Sequence, residues 1–301
     1  MTVETFSAMN EGGDSLGSQI ELDAFRRLFP LRYYERHLAD SIRPDARRLG
    51  EARPTSIALG AVSSADGSAL AKIGSTTMLA AIKMEVMKPL LESPNEGCIA
   101  IDFHMPSICS PLVRPGRTAE AAPVISKQLS DVILSSGMID LKELCLTPGK
   151  AAWMAYLDIY CLDADGSLFD AALLASVSAF TNLRIPVVSV RDDGKVVLLP
   201  KEDAKPEVKR KLTMRNIPLS LTSLLHKKYI LADPNGEEES VMETQITVVL
   251  DSSGNLVSFY KPGGAVLAST SIVKNCIALT RERIKELLAS LEEALSGMDV
   301  D

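Results

Sequence analysis

The residues whose types suit phosphate chemistry gather at a predicted turn that leads into a helix. This turn contains Gly166 and Ser167, and it ends at Asp170. A serine hydroxyl and the free backbone N–H groups of a helix N-terminus can hold an anion. Asp170, however, places a negative charge where that anion would bind. Ser167 and the helix N-terminus alone therefore predict a weak anion site.

A second acidic group consists of three consecutive glutamates, Glu237 to Glu239, beside an Asn235-Gly236 turn. We interpret this run as a solvated loop. The chain has only three histidines, and none of them lies near another histidine or a cysteine at metal-binding spacing,. We therefore expect no bound metal and no cofactor.

Two other patterns suit hydrolytic or acid–base chemistry, and each has a simpler interpretation. The run from Gly13 to Gly17 matches the Gly-x-Ser-x-Gly sequence of a hydrolase nucleophile. No predicted strand precedes it and no histidine follows His226, so a catalytic triad is not expected. Asp102 and His104 fall on one face of a predicted strand. They form either an acid–base pair or, in the interpretation we favour, the polar face of an edge strand.

Composition sets the broad class of the protein. Of its 301 residues 46% are hydrophobic, and the formal net charge is −7. This charge argues against binding nucleic acid by overall electrostatics, so any RNA contact must be local or shared with neighbouring chains. Five widely spaced cysteines without a Cys-x-x-Cys pair predict reduced core thiols,. No membrane span and no secretory signal are recognisable, and we expect an intracellular protein with no membrane contact.

The elements that must position these residues begin with a sheet. Alternating apolar residues on both sides of an Asp-Gly pair predict a hairpin, and the runs that follow predict buried strands and amphipathic helices,. Within the first of these helices, Val124 is expected to face inward. The predicted elements are a hairpin around Asp66-Gly67, strands at Thr76 to Val86, Cys98 to His104 and Ala151 to Asp163, and helices at Ala119 to Leu134 and Phe169 to Leu183.

A second, shorter half is predicted to begin near Pro186. Residues 201–215 are highly charged and are expected to form an exposed insertion,. A helix from Ser271 to Leu295 is expected to close the chain. The predicted strands are Val187 to Val190, Val196 to Leu199, Leu219 to Leu225, Tyr229 to Ala232, Gln245 to Leu250 and Leu256 to Tyr260.

Together these elements predict an α+β fold of two βαβα-type halves, with helices packed on mixed sheets. We divide the chain into a flexible leader (residues 1–18), a first domain (residues 19–185) and a second domain (residues 186–301). Helical spacing from Leu22 to Leu38 predicts a broken helical arm after the leader,. This arm is expected to pack onto the domain or onto a partner.

The stretch from Arg43 to Val86 resembles the opening motif of the RNase PH family. It contains Arg43-Pro-Asp-Ala-Arg47 before the hairpin, a Gly-Ser-Ala segment from Gly67, and Gly74-Ser-Thr at the start of the third strand. The resemblance extends over roughly residues 20–290 and implies an RNase PH-like fold. In active members, inorganic phosphate attacks the last linkage of an RNA 3′ end and releases a nucleoside diphosphate.

The chain departs from active members at three places that the resemblance marks as functional. A phenyl ring replaces an arginine in the phosphate loop. An amide replaces a carboxylate at one of the two acidic metal positions. The RNA-contacting element keeps one of its two positive charges. Because losing one preorganised donor already costs about 10²–10³ in rate, we expect no catalytic residues and no enzymatic activity. The altered residues are Gly166, Ser167, Phe169 and Asp170 in the phosphate loop, Glu239 and Gln245 at the metal positions, and Lys127 in the RNA element.

A block from Leu162 to Ala172 is similar to the inactive ring subunits of the RNA exosome. The similarity implies a structural subunit that threads RNA to a separate nuclease, in 3′-to-5′ RNA processing and degradation that includes rRNA maturation and mRNA turnover. Its implied partners are other RNase PH-like ring subunits, cap proteins and RNA. The implied locations are the nucleus, the nucleolus and the cytoplasm. We nominate Arg114, Arg117 and Lys127 for RNA contact, although these charges suit a protein interface equally well.

Two alternative functions remain open. One is an active phosphate-dependent 3′–5′ exoribonuclease whose site is completed by a partner subunit, and the other is an isolated, monomeric RNA-binding adaptor. The basic residues of the opening stretch favour neither. We interpret them as a structural clamp or ring contact rather than a grip on substrate; they are Arg43, Arg47, Arg48 and Arg53.

Overall fold

The computed structural model describes residues 20–111, 113–186, 188–190, 196–198 and 210–298. The first half consists of two helices, a six-stranded sheet and two helices that cover it. Its elements are α1 (20–28), α2 (Pro30–Ala39), β1 (Thr55–Leu59), β2 (Gly67–Ile73), β3 (Thr76–Met87), β4 (Cys98–His104), α3 (Ala121–Ser136), β5 (Cys145–Thr147), β6 (Ala151–Asp163) and α4 (Leu168–Thr181).

The second half contains short strand pairs, a four-stranded sheet and a long final helix. Strand β7 (Arg184–Ile185) ends the first half and pairs with β10. The elements of the second half are β8 (Val188–Val190), β9 (Val196–Leu198), β10 (Arg210–Lys211), β11 (Leu219–His226), β12 (Tyr229–Ala232), α5 (Gly236–Val241), β13 (Thr244–Leu250), β14 (Leu256–Tyr260) and α6 (Thr270–Met298). These bounds confirm the predicted α+β class.

Strand β6 organises the first sheet, whose order is β1-β2-β3-β6-β4 with β5 paired to β6. The neighbours pair antiparallel except β4, which runs parallel to β6. This sheet is therefore mixed, as predicted, whereas the second sheet, β12-β11-β13-β14, is antiparallel throughout. Alternate residues of β6 enter the core because side chains along a strand point to opposite faces. The buried set is Trp153, Ala155, Leu157, Ile159 and Cys161.

Helix α4 lies across β2 and β3 and is buried over most of its length. Its alanines and serines allow the helix axis to approach the sheet closely. One hydrophobic cluster includes residues of α4, of the first sheet, of β11 and β13, and of α6. The two halves thus share a continuous core, and the proposed division at residue 186 stays a prediction.

Helix α3 differs from its predicted form. It begins at Ala121 rather than Ala119, and Gly137 ends it in the left-handed conformation, with φ 64°. Val124 is 55% exposed, so the inward placement predicted for it is wrong. Ala122 and Ile125 face the core instead. The inward face is set by the contact with β4, which the spacing of apolar residues alone does not specify,.

The N-terminal arm packs onto the second half of the molecule. Tyr34 and Leu38 of α2 are buried with Leu224, Leu231 and Met242 in a separate small cluster. The arm therefore contacts its own chain, which is one of the two predicted possibilities.

The charged segment at residues 201–215 is only partly described. Arg210 and Lys211 pair with β7, Leu212 is buried, and Met214 bridges to Ile139 of the first half. The prediction of exposure is therefore wrong for Leu212 at this end of the segment, whereas Arg210, Lys211, Thr213 and Arg215 are exposed. Residues 201–209, the predicted Asp193-Gly194 turn and the leader lie outside the described residues. Within the described ranges, no helix combines the length and apolarity that crossing a bilayer requires.

Candidate functional site

The two altered sites identified in the sequence meet at one point of the fold. The backbone N–H of Ser167, at the start of α4, donates to Oε1 of Glu239 at 2.9 Å. Gln245 Nε2 donates to the same oxygen at 3.2 Å. A loop that follows β6 and an acidic helix from the second half therefore share one hydrogen-bonded centre. Glu239 and Gln245 are thus in direct contact, while their assignment to the two metal positions stays a prediction.

The loop before α4 is pressed against the segment that precedes α5. Gly166 has φ 72°, and a Cβ there would lie 2.5 Å from the carbonyl oxygen of Pro234. Only glycine fits, both for its dihedral angle and for the space available. The Ser167 hydroxyl, which is buried, donates to the same Pro234 oxygen at 3.1 Å. The serine proposed as an anion ligand is thus already hydrogen-bonded within the protein.

Asp170 does not face the anion loop. Its carboxylate is buried and accepts hydrogen bonds from the Ser220 hydroxyl at 2.5 Å and from the Thr222 N–H at 2.6 Å, both on β11. Asp170 thus ties α4 to the second sheet, and its negative charge still acts at the loop, because it helps to raise the pKa of Glu239 there. Burial raises the pKa of Asp170 to about 6,. Phe169 is also buried, edge-on to Tyr260 with ring centroids 6.0 Å apart.

The three glutamates do not form a solvated loop. They open helix α5, where the Asn235 side chain accepts from the Glu238 N–H and the Glu238 carboxylate accepts from the Asn235 N–H. This reciprocal capping box has a sequence signature, Asn-x-x-Glu, that could have predicted the helix. Glu238 is fully buried, whereas Glu237 is exposed.

Glu239 places a carboxyl group directly at the N-terminus of α4. Burial raises its pKa to about 7, although the hydrogen bond from the Ser167 N–H opposes this shift, and the nearby carboxylates of Asp170 and Asp233 add to it,. The group therefore occupies the position predicted for a weakly bound anion. The described residues contain no cluster of three or more His, Cys, Asp or Glu side chains placed to hold a metal ion.

The opening arginines form a buried clamp with α5 and the turn before it. Arg43 and Glu238 are both fully buried and form a bidentate pair, with Arg43 Nε 2.8 Å from Glu238 Oε1 and a second bond from Nη2 to Oε2. Arg43 Nη1 also donates to the carbonyl oxygen of Ala232 at 2.6 Å. The clamp thus joins the opening stretch to the second half.

Arg53 makes the matching contact with Asp233. Its Nε and Nη2 donate to the two carboxylate oxygens of Asp233 at 2.9 and 2.7 Å. Arg53 also lies 3.6 Å from Asp165, which in turn accepts from the Gly236 N–H at 3.0 Å. The interpretation of these arginines as a clamp is confirmed for Arg43 and Arg53. Arg48, in contrast, is exposed.

The three basic residues nominated for RNA contact line two adjoining clefts at the end of β4. Arg114 and Arg117 are exposed and share one cleft with His104 and Tyr160. Lys127 lines the next cleft, where His104 also lies, and is paired to Asp131 at 2.7 Å. The structure brings these residues to one surface, while their role in RNA contact stays a prediction.

Asp102 and His104 lie at the same place. Strand β4 is an edge strand, as predicted, and His104 Nε2 is 3.6 Å from Asp102 Oδ2, with both side chains substantially exposed. His104 also stacks on Tyr160 of β6, an aromatic contact that sequence reasoning missed. The missing information was the register of β4 against β6.

Two family matches cover most of the described chain. Residues 51–186 match domain 1 of the 3′ exoribonuclease family, and residues 216–283 match domain 2. An exosome complex component Rrp42 from Methanopyrus kandleri is 37% identical over 219 residues, which is 73% of this chain and 79% of that protein. The rrp43 component of the Schizosaccharomyces pombe exosome complex is 32% identical over 259 residues, covering 86% of this chain and 94% of the relative.

A solved structure shows the same fold. A chain of the Archaeoglobus fulgidus exosome, determined with RNA bound to the active site, superposes with a TM-score of 0.75 at 28% identity and covers 90% of this chain and 98% of its own length. The matched residues include the opening strands, the loop before α4 and helix α5. The sequence matches and the shared fold together show that the chain belongs to the 3′ exoribonuclease family of RNase PH-like proteins.

Proposed function

We propose that the chain is a non-catalytic structural subunit of an exosome ring, of the eukaryotic 43 type, that helps to thread RNA to a separate nuclease. The proposal includes other RNase PH-like ring subunits, cap proteins and RNA as partners. It includes 3′-to-5′ RNA processing and degradation, with rRNA maturation and mRNA turnover, in the nucleus, the nucleolus and the cytoplasm. The similarity to the exosome components Rrp42 and rrp43 supports membership of such a complex.

The proposal that the subunit is non-catalytic rests on the carboxyl group of Glu239, which lies at the N-terminus of α4. Its Oε1 accepts from the Ser167 N–H, a group that would otherwise be free to hold an anion,. The Ser167 hydroxyl is bonded to Pro234, and Phe169 contributes no charge. An anionic substrate would meet the Glu239 carboxyl group at this loop, where the nearby guanidinium of Arg53 is already paired with Asp233. Phosphate-dependent chemistry would lack the electrostatic stabilisation on which it depends.

We expect no phosphorolysis from the purified chain. When it is incubated alone with labelled single-stranded RNA, magnesium and phosphate, no nucleoside diphosphate should be released. In the assembled ring, any release should be unchanged by Asp165→Asn or Glu239→Gln. An active phosphorolytic exoribonuclease under the same conditions serves as the positive control. Release that falls in either variant would instead show that this chain completes an active site with a partner.

The complex that contains the chain tests the structural part of the proposal. Native mass measurement of the purified complex should show the chain in a hetero-oligomeric ring. A stable soluble monomer that binds RNA would favour the adaptor alternative instead.

The basic residues of the cleft should contribute to RNA binding in the assembled complex. The double variant Arg114→Ala, Arg117→Ala is expected to weaken binding and to reduce the slope of log K against log salt by about 1.4, roughly 0.7 for each lost phosphate contact. Lys150→Ala is the matched control, because Lys150 is exposed and precedes the far end of β6. An unchanged salt slope in the double variant would remove these two residues from the RNA path.

A further inference from the structure

We propose that the stacked rings of His104 and Tyr160 form a platform on which one base of single-stranded RNA stacks. The inference rests on the proposed function, in which RNA passes along this subunit. It assigns a role to two aromatic residues that neither the charge pattern nor the altered phosphate loop indicates.

Strand register places the two rings together. His104 is the last residue of β4 and lies opposite Tyr160 in the parallel pairing with β6. The ring centroids are 4.7 Å apart and the ring planes differ by 22°, which is a stacked arrangement. Neighbouring residues Ile159 and Cys161 are buried, so Tyr160 projects from the opposite face of the sheet,. Tyr160 is 44% exposed, which leaves aromatic surface available to a ligand.

The cleft beside the rings carries unneutralised positive charge. Arg114 and Arg117 line it together with His104 and Tyr160. In the described part of the chain, neither arginine has an ion-pair partner. Lys127 of the adjoining cleft differs, because Asp131 already neutralises it. Two free guanidinium groups thus lie in the same cleft as an exposed pair of aromatic rings.

This combination fits single-stranded nucleic acid better than the alternatives. An aromatic ring stacks on any unpaired base, while guanidinium groups bind the adjacent phosphates. A duplex hides its base faces within the helix and cannot use the rings. The acidic side chains of a protein segment would use the arginines, but a carboxylate does not stack on the aromatic platform. Asp102, 3.6 Å from His104 Nε2, disfavours phosphate on its side, so the backbone should run along the arginines.

The test measures the affinity of the assembled ring for a short fluorescent oligouridine. Tyr160→Ala should weaken binding roughly 5- to 150-fold, the equivalent of the 1–3 kcal/mol that one stacked base contributes. Tyr160→Phe keeps the aromatic side chain, so this variant should bind the oligonucleotide like the unmodified protein. With a 4-thiouridine oligonucleotide, ultraviolet cross-links should map to the peptides that contain His104 and Tyr160.

Tyr156→Ala is the matched control. Tyr156 lies on the same face of β6, is 38% exposed and is outside both clefts, so its replacement should leave RNA affinity unchanged. Equal affinities for Tyr160→Ala and Tyr156→Ala, with cross-links elsewhere, would overturn the platform. If the Tyr160→Ala variant fails to assemble into the subunit ring, the platform is also overturned. That result would show that the aromatic side chains of His104 and Tyr160 bind a neighbouring protein.

The arginine variant separates this inference from the proposed function. If the double variant Arg114→Ala, Arg117→Ala weakens RNA binding but Tyr160→Ala does not, the proposed aromatic platform is wrong. The proposal that RNA passes along this subunit then still stands. If the unmodified chain fails to join a ring or the ring fails to bind RNA, the proposed function fails and the platform fails with it.

Discussion

Replacing Arg43 with alanine is expected to lower the free energy of unfolding by roughly 3–5 kcal/mol, because it leaves the Glu238 carboxylate buried without its partner. Both side chains are fully buried, and Arg43 also satisfies the carbonyl oxygens of Ala232 and Asp233. Urea unfolding of the full-length chain measures the loss as a lower midpoint at an unchanged slope. This ion pair is one of the contacts that join the opening stretch to the second half.

Arg48→Ala is the control for this effect. Arg48 belongs to the same basic stretch but is exposed, so its loss should change stability by less than about 0.5 kcal/mol,. Arg43→Lys keeps the charge without the bidentate fork and should give an intermediate loss, which preserves the test if Arg43→Ala does not fold. Equal midpoints for Arg43→Ala and Arg48→Ala would contradict the clamp.

The second large effect is a gain in stability at high pH on replacing Glu239 with glutamine. The folded-state pKa of Glu239 is about 7, above the ordinary value of 4.5 for the unfolded chain. The folded state therefore holds the proton more tightly, and the stability contributed by this group is lost as pH rises from about 4.5 through 7. At pH 8 the variant should be more stable than the unmodified protein by up to about 3 kcal/mol.

Unfolding curves across pH 4 to 8 provide the measurement. The stability difference between Glu239→Gln and the unmodified chain should be small near pH 4, grow to pH 7 and then level off. Glu243→Gln is the matched control, since Glu243 is exposed and lies in the same segment; its replacement should change stability by less than about 0.5 kcal/mol,. A difference that does not vary with pH would contradict this prediction, because it would mean that the pKa of Glu239 is the same in the folded and unfolded chain.

The effects expected for Arg43→Ala and Glu239→Gln both arise at the contact between the two halves. The clamp of Arg43 and Arg53 with Glu238 and Asp233 presses α5 against the loop before α4. Glu239, the next residue of α5, then supplies the acceptor for the Ser167 N–H. A subunit whose anion position is filled by its own side chain can keep the family fold for assembly without binding phosphate there.

Local patterns in the sequence determined most elements of the fold. The hairpin of β1 and β2 and strand β6 follow from alternation, which acts between near neighbours,. The predicted Asp66-Gly67 turn is wrong, because the loop between the strands spans residues 60–66 and Gly67 begins β2. The resemblance also identified Glu239 and Gln245 as a pair. The capping box of Asn235 and Glu238 was equally readable and was missed.

Only the tertiary structure decided the directions and partners of the polar side chains. Asp170 faces β11 rather than the anion loop, Glu238 is buried against Arg43, and His104 stacks on Tyr160. Each contact joins segments distant in the chain, and its geometry depends on strand register and on how the halves dock. Sequence spacing fixes which residues share one face of an element, but the packing of the elements fixes which groups meet across them.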